Sequence, residues 1–106
     1  MSKHRERKKE HSLALKERIS KPSKYRVVLL NDDYTPFQFV ISLLISVFFH
    51  SLKVAQELTQ EVHESGRAIA GQNYSLEIAE EKARQVIDIA QKQGHPFQAI
   101  VELQED

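Results

Sequence analysis

From residue 25 onward the chain sorts into apolar runs separated by short polar seams, and each run has a recognisable period. Tyr25 to Leu30 (YRVVLL) is aliphatic and β-branched, which reads as a strand, and its near-continuous apolar character suggests burial on both faces or a central place in a sheet. The apolar run that follows predicts a helix over about Pro36–Phe49. Thr35 and Gln38 offer a capping box, Pro36 suits the first helical position, and Tyr34 is placed to staple Phe39. Ser51 caps a second helix, about Leu52–Ser65, with Val54, Ala55, Leu58 and Val62 on one face and Gly66 at its end. Arg67–Gly71 reads as a short strand and Gln72-Asn73-Tyr74 as a loop. Ser75 caps a third helix, about Leu76–Gln93, striped by Leu76, Ala79, Ala83, Val86, Ile87 and Ala90, with Glu77, Glu80 and Glu81 near its positive end. Gly94 stops it and Pro96 prevents a restart. Phe97, Ala99, Val101 and Leu103 then alternate with polar residues, a strand with one buried face. The order β-α-α-β-α-β predicts a small α+β sandwich, a three-stranded, mostly antiparallel sheet packed against three helices.

Charge divides the chain in two. The formal charge of the 106 residues is zero, but residues 1–24 hold nine Lys/Arg and three Glu, while residues 25–106 hold six Lys/Arg and twelve Asp/Glu. The expected organisation is a basic, solvated N-terminal tail over 1–23 and one core domain over 24–106. Within the tail, Leu13, Ala14, Leu15 and Ile19 allow a short amphipathic helix near 11–19. The acidic core argues against binding a phosphate backbone, so nucleic acid is not an expected partner. There is no cysteine, hence no disulfide framework and no thiolate ligand. The longest near-apolar run, 37–49, is far short of the ~20 residues needed to span a bilayer, and residues 1–24 lack the apolar segment of a secretory signal. A soluble, cytoplasmic, membrane-free monomer is the expectation.

The remaining chemistry is concentrated at one seam. Asn31-Asp32-Asp33 lies between the first strand and the first helix, and His63 lies near the end of the second helix. His4, His11, His50, His63 and His95 have no metal-ligand spacing, and no Gly-rich phosphate loop follows a strand, so no cofactor or metal is expected. The triplet reads either as an Asx turn that caps backbone N–H groups, or as acceptors for a cation next to an apolar pocket. His63 reads as a solvent-facing residue favoured by a helix C-terminus, or as part of the same site. An acid-base pair of Asp32 or Asp33 with His63 in a small hydrolase is the enzymatic alternative.

The segments LLNDDYTPFQFV, EVHESGRAIAG, EIAEEKARQVI and GHPFQAIVE, in this order over about residues 24–104, resemble the ClpS family, bacterial N-end-rule adaptors of the ClpAP protease. The resemblance implies a non-enzymatic module that captures proteins with a bulky hydrophobic N-terminal residue (an N-degron) and delivers them to a ClpA-type AAA+ unfoldase. It implies that Asn31 and His63 accept hydrogen bonds from the α-ammonium and that Asp32 holds it directly or through water. Asp33 and Thr35 would shape the rim and peptide entry. Phe37, Val40, Thr59, Val62 and Phe97 would line or border the side-chain pocket, and Glu77, Glu80 and Lys82 would dock the unfoldase. The basic tail would assist delivery. Phe37 and Thr59 stand where the family usually has Met, and the 72–74 loop is a residue longer than usual. The C-terminal domain of the ribosomal stalk protein shares a similar sandwich but lacks the NDDYTP motif, which leaves a stalk-like interaction domain as the remaining alternative.

Overall fold

The computed structural model describes residues 22–105. The amphipathic segment expected near 11–19 lies outside the described residues. The element order is β1 (Tyr25–Leu30), α1 (Phe37–Ser46), α2 (Leu52–Ser65), β2 (Arg67–Tyr74), α3 (Leu76–Lys92) and β3 (Gln98–Leu103). The sheet runs in the order β2-β1-β3, and both pairings are antiparallel. The α+β class, three helices and three-stranded sheet are those expected from the sequence.

Strand β1 is central because it is the most apolar strand. Val27, Val28 and Leu29 are fully buried. Val27 and Leu29 join the core beneath the helices, with Leu43, Leu44, Ala55, Val62, Val86 and Phe97. Val28 faces the other side and is covered by its cross-strand partners Ile69 and Ile100. Strands β2 and β3 are edges and alternate: Ala68, Ala70 and Ala99 are buried, whereas Ile69 and Ile100 are partly open. Small alanines on the inner faces let the helices approach the sheet closely. Glu102 of β3 binds Arg26 of β1 at 3.0 Å and Arg67 of β2 at 2.6 Å, fastening the three strands across the outer face.

Several local details depart from expectation. The first helix begins at Phe37 and ends at Ser46, short of the expected Pro36–Phe49. Phe49 takes a left-handed φ of 60°, which breaks the helix and lets the His50 N–H reach back to the Leu44 carbonyl. The capping box does not form. Pro36 is the N-cap residue and its ring has no acceptor for a cap bond, while the Thr35 hydroxyl is turned away to donate to Asp32. The staple fails too, since Tyr34 is 82% exposed. Strand β2 runs on through Gln72-Asn73-Tyr74, where the sequence predicts a loop. Tyr74 pairs with Tyr25, and the Asn73 side chain and N–H are both bound by the Gln104 amide. Leu103, expected on the buried face, lies largely open at the end of its edge strand.

The other two helix caps form as expected. Ser51 accepts from Val54 N–H and Ser75 from Ile78 N–H, and Gly66 closes α2 with a left-handed φ of 87°. Helix α3 stops at Lys92, with Gln93 as its cap. The apolar stripes are less complete than their spacing suggests, since Val54 and Leu76 remain partly open.

Candidate functional site

The polar seam at the end of β1 is built around one carboxylate. Asp32 Oδ1 accepts the N–H groups of Tyr34 at 2.8 Å and Thr35 at 2.9 Å, and Oδ2 accepts the Thr35 hydroxyl at 2.6 Å. This is the Asx turn that the triplet allowed. It buries Thr35 and leaves Asn31 and Asp33 facing solvent.

A backbone bond brings the second half of the site into place. The Asn31 N–H donates to the carbonyl of Gly66, 3.0 Å away. The left-handed cap at Gly66 turns that carbonyl toward β1, so the end of β1 is fixed to the end of α2. His63 stands exposed in the last turn of α2, on the same side of the molecule. Phe37, the first residue of α1, meets it edge to face with ring centroids 5.0 Å apart. The structure therefore gathers Asn31, Asp32, Thr35, Phe37 and His63 at the junction of β1, α1 and α2. Spacing alone gave no sign of the Gly66 carbonyl, although the left-handed Gly66 that presents it was legible.

The apolar residues assigned to the pocket divide into two groups. Phe37 is 44% exposed. Val40, Thr59, Val62 and Phe97 retain only 2–4% of their surface and are closed to solvent. Thr59 turns its hydroxyl to the Ala55 carbonyl at 2.7 Å, which satisfies the polar atom inside its own helix and leaves its methyl free to contact apolar neighbours.

Among the residues assigned to unfoldase docking, Glu77 and Glu80 are exposed on α3 and share a shallow cleft with Arg84. Lys82 is different. Its ammonium donates to the Val47 carbonyl at 2.8 Å and lies 5.0 Å from the Phe49 ring centroid, with Phe48 and Tyr74 each 5.7 Å away. Its role in tying α3 to the α1–α2 turn was not legible in the sequence.

No group of His, Asp and Glu among the described residues is arranged to hold a metal ion, and no helix among them is long and apolar enough to cross a membrane. The junction thus sets exposed polar side chains, Asn31 and His63, beside the half-exposed ring of Phe37.

Residues 20–100 match the family described as "ATP-dependent Clp protease adaptor protein ClpS". The ClpS adapter of Hyphomonas neptunium is 45% identical over 92 residues, which cover 85% of this chain and 77% of that protein. The ClpS adapter of Caulobacter vibrioides is 43% identical over 88 residues, covering 83% and 80%. Among solved structures, Agrobacterium tumefaciens ClpS2 bound to L-phenylalaninamide superposes with a TM-score of 0.75 at 35% identity, covering 78% of this chain and 99% of that one. With the sandwich, the β1–α1 seam and these matches together, the chain belongs to the ClpS family of Clp protease adaptor proteins.

Proposed function

We propose that this adaptor binds the free N-terminus of proteins whose first residue is bulky and hydrophobic, and hands them to a ClpA-type AAA+ unfoldase for degradation by ClpAP. The observation that carries the reading is the junction itself, where the Asn31–Gly66 bond brings a strand end bearing acceptors against the helix end bearing His63. A relative of the same fold has been solved with L-phenylalaninamide, which combines a free α-amine with a benzyl side chain.

An α-ammonium offers three donors and a positive charge, so it needs acceptors and gains most from a carboxylate. In this reading the Asn31 side chain and a neutral His63 imidazole accept from it. Asp32 already uses both of its oxygens on the turn, so its contribution is its negative charge and the shape of the loop, with a bridging water where direct contact fails. Asp33 and Thr35 border the path of the following residues. The first side chain descends onto Val40, Thr59, Val62 and Phe97. Those floor residues are almost fully covered, so a guest reaches them as Phe37 swings away from His63. Seating a Phe or Leu side chain there contributes ~1.5–3 kcal/mol. Glu77, Glu80 and the neighbourhood of Lys82 form the unfoldase-facing side, and a cytoplasmic setting follows from that partner.

The test is a titration with one Phe-first peptide in free and N-acetylated forms. Acetylation removes the charge and two donors, so the free peptide binds and the acetylated one does not. Equal binding of both forms would overturn the amine site. His63→Ala should weaken the free peptide, and His63→Gln, which keeps an acceptor, should retain more of the affinity; equal loss in both would leave His63 a spacer rather than an acceptor.

A further inference from the structure

At the other end of α2 lies an apolar feature that the amine site does not use. A cleft of about 410 Å³ opens between α2 and the edge strand β2, lined by His50, Val54, Leu58, Ile69, Gln72 and Tyr74, among others. Val54 and Ile69 are each 37% exposed, so two large apolar side chains stand open in its walls. Along α2, Val54, Glu57, Leu58 and Glu61 follow the i, i+3, i+4, i+7 spacing of one helix stripe, and both glutamates are exposed. The cleft is thus an apolar strip with carboxylates beside it, on a helix with three glutamates and one lysine.

The chain enters the fold beside this cleft. Tyr25, the first residue of β1, pairs with Tyr74, one of the lining residues. The segment before it carries Leu13, Leu15 and Ile19 among Lys16, Arg18 and Lys21, within a stretch of nine basic and three acidic residues. An extended chain covers ~3.3–3.6 Å per residue, so Ile19 reaches ~20 Å from Tyr25 and Leu15 ~35 Å. Both are within range of a cleft whose lining begins at Tyr25's own partner. Charge is complementary as well, since the basic segment is joined to an acidic core.

We propose that Leu15 and Ile19 seat in the α2–β2 cleft, with Lys16 and Arg18 facing Glu57 and Glu61. The occupant is this chain's own N-terminal segment. Val54 and His63 lie nine residues apart on α2, or ~13 Å at the helical rise, so the docked segment leaves the amine site open. An adaptor loaded with cargo would then hold its tail on its own surface until the unfoldase competes for it.

The sequence has no cysteine, so Ser12→Cys gives a single attachment point for a nitroxide on the full chain. The readout is paramagnetic broadening of methyl NMR signals. The Val54, Leu58 and Ile69 methyls should lose most of their intensity, while those of Ile89, thirteen residues or ~20 Å along α3 from Leu76, keep more of theirs. Leu15→Ser with Ile19→Ser should restore the intensities, and Glu57→Lys with Glu61→Lys should restore them in part. Similar intensities at Val54 and Ile89 would overturn the proposal. So would broadening that survives the Leu15 and Ile19 changes, which would leave charge attraction alone. Broadening that also appears when spin-labelled chains of natural isotopic abundance are mixed with isotope-enriched chains free of the label would assign the cleft to a second copy and overturn it too.

Discussion

The ring of Phe37 stands edge-on to the imidazole of His63, with centroids 5.0 Å apart and planes inclined by 68°. The contact joins the first turn of α1 to the last turn of α2. A half-exposed aromatic ring in this place packs against a proposed amine acceptor, and in the proposed reading it also limits what reaches Val40, Thr59, Val62 and Phe97.

The first prediction concerns the first residue of the bound peptide. A Phe wall offers ring-edge contacts to an aromatic guest, worth about 0.5–1.5 kcal/mol beyond buried area. Thr59 supplies a methyl where a long thioether would add apolar wall, and its hydroxyl is committed to Ala55. Phe-first, Tyr-first and Trp-first peptides should therefore bind more tightly than Leu-first ones. The Phe37→Met, Thr59→Met double variant should narrow the gap, because Met adapts to a branched aliphatic tip. Titration of Phe-first and Leu-first peptides on both proteins checks this. Equal affinity for the two on the parent, or an unmoved ratio in the variant, refutes it.

The second prediction separates the charge of Asp32 from its role in the turn. Asp32→Ala frees two backbone N–H groups and a hydroxyl, and in the proposed reading it also removes a negative charge from beside the amine. Loss of hydrogen bonds to a charged group costs ~1.5–3 kcal/mol, so peptide affinity should fall tenfold or more, with a lower melting temperature. Thr35→Val removes one of the three bonds and keeps the charge. It should lower stability by ~1 kcal/mol and change affinity only a few-fold. If Thr35→Val weakens peptide binding as much as Asp32→Ala does, loop shape rather than charge governs the site.

The ease with which this fold reads from sequence varies with how local the deciding interaction is. Ser51, Ser75 and Gly66 act within one turn of their own helices, and each does what its position announces. Thr35 does not cap because the Asp32 carboxylate, three residues before it, binds both its N–H and its hydroxyl and so holds its side chain on the turn. A cap would need the same oxygen aimed the other way, to accept a helix N–H, and spacing cannot rank the two motifs. Tyr74 looked like a loop residue because its strand partner, Tyr25, is distant in sequence. The acceptors of the candidate site were visible as residue types at a seam. Their junction through the Gly66 carbonyl, and the capture of Lys82 by Val47, Phe48, Phe49 and Tyr74, depend on backbone direction and on contacts between distant elements.

The third prediction is a pH dependence of stability. Hydrogen bonds from Arg67, and then from Arg26, hold the Glu102 carboxyl below its ordinary value of 4.5, more than its partial burial raises it. A carboxylate with a depressed native pKa binds protons less readily in the folded state than in the unfolded one. Its contribution is therefore present above the unfolded value and is lost as pH falls through the folded one. Glu102→Gln should lower stability near neutrality and flatten its decline in acid. Chemical denaturation from neutral pH down to below 4 measures it. Parallel curves for parent and variant would show that the three-strand ion cluster contributes nothing to acid sensitivity.

The last prediction distinguishes residues on α3 by what already holds them. Glu77 and Glu80 are exposed, so charge reversal at Glu80 should leave the melting temperature within the small range usual for surface substitutions. Lys82 donates to the Val47 carbonyl and lies among three aromatic rings, so Lys82→Ala removes a charged hydrogen bond and the packing of its stem. That variant should lose ~1.5–3 kcal/mol of stability. Lys82→Met keeps most of the stem and should recover part of the loss. Binding of the isolated N-terminal domain of the unfoldase, measured beside the melts, then assigns the roles. If Glu80→Lys abolishes docking with an unchanged melt, α3 presents Glu80 directly to the unfoldase. If Lys82→Met docks as the parent does, the ammonium serves the fold of the α1–α2 turn and the unfoldase reads the surface that turn presents, Phe49 included. Docking that fails in Lys82→Met at near-parental stability would instead mean that the unfoldase takes the ammonium from Val47, and would reject a purely structural role for this lysine.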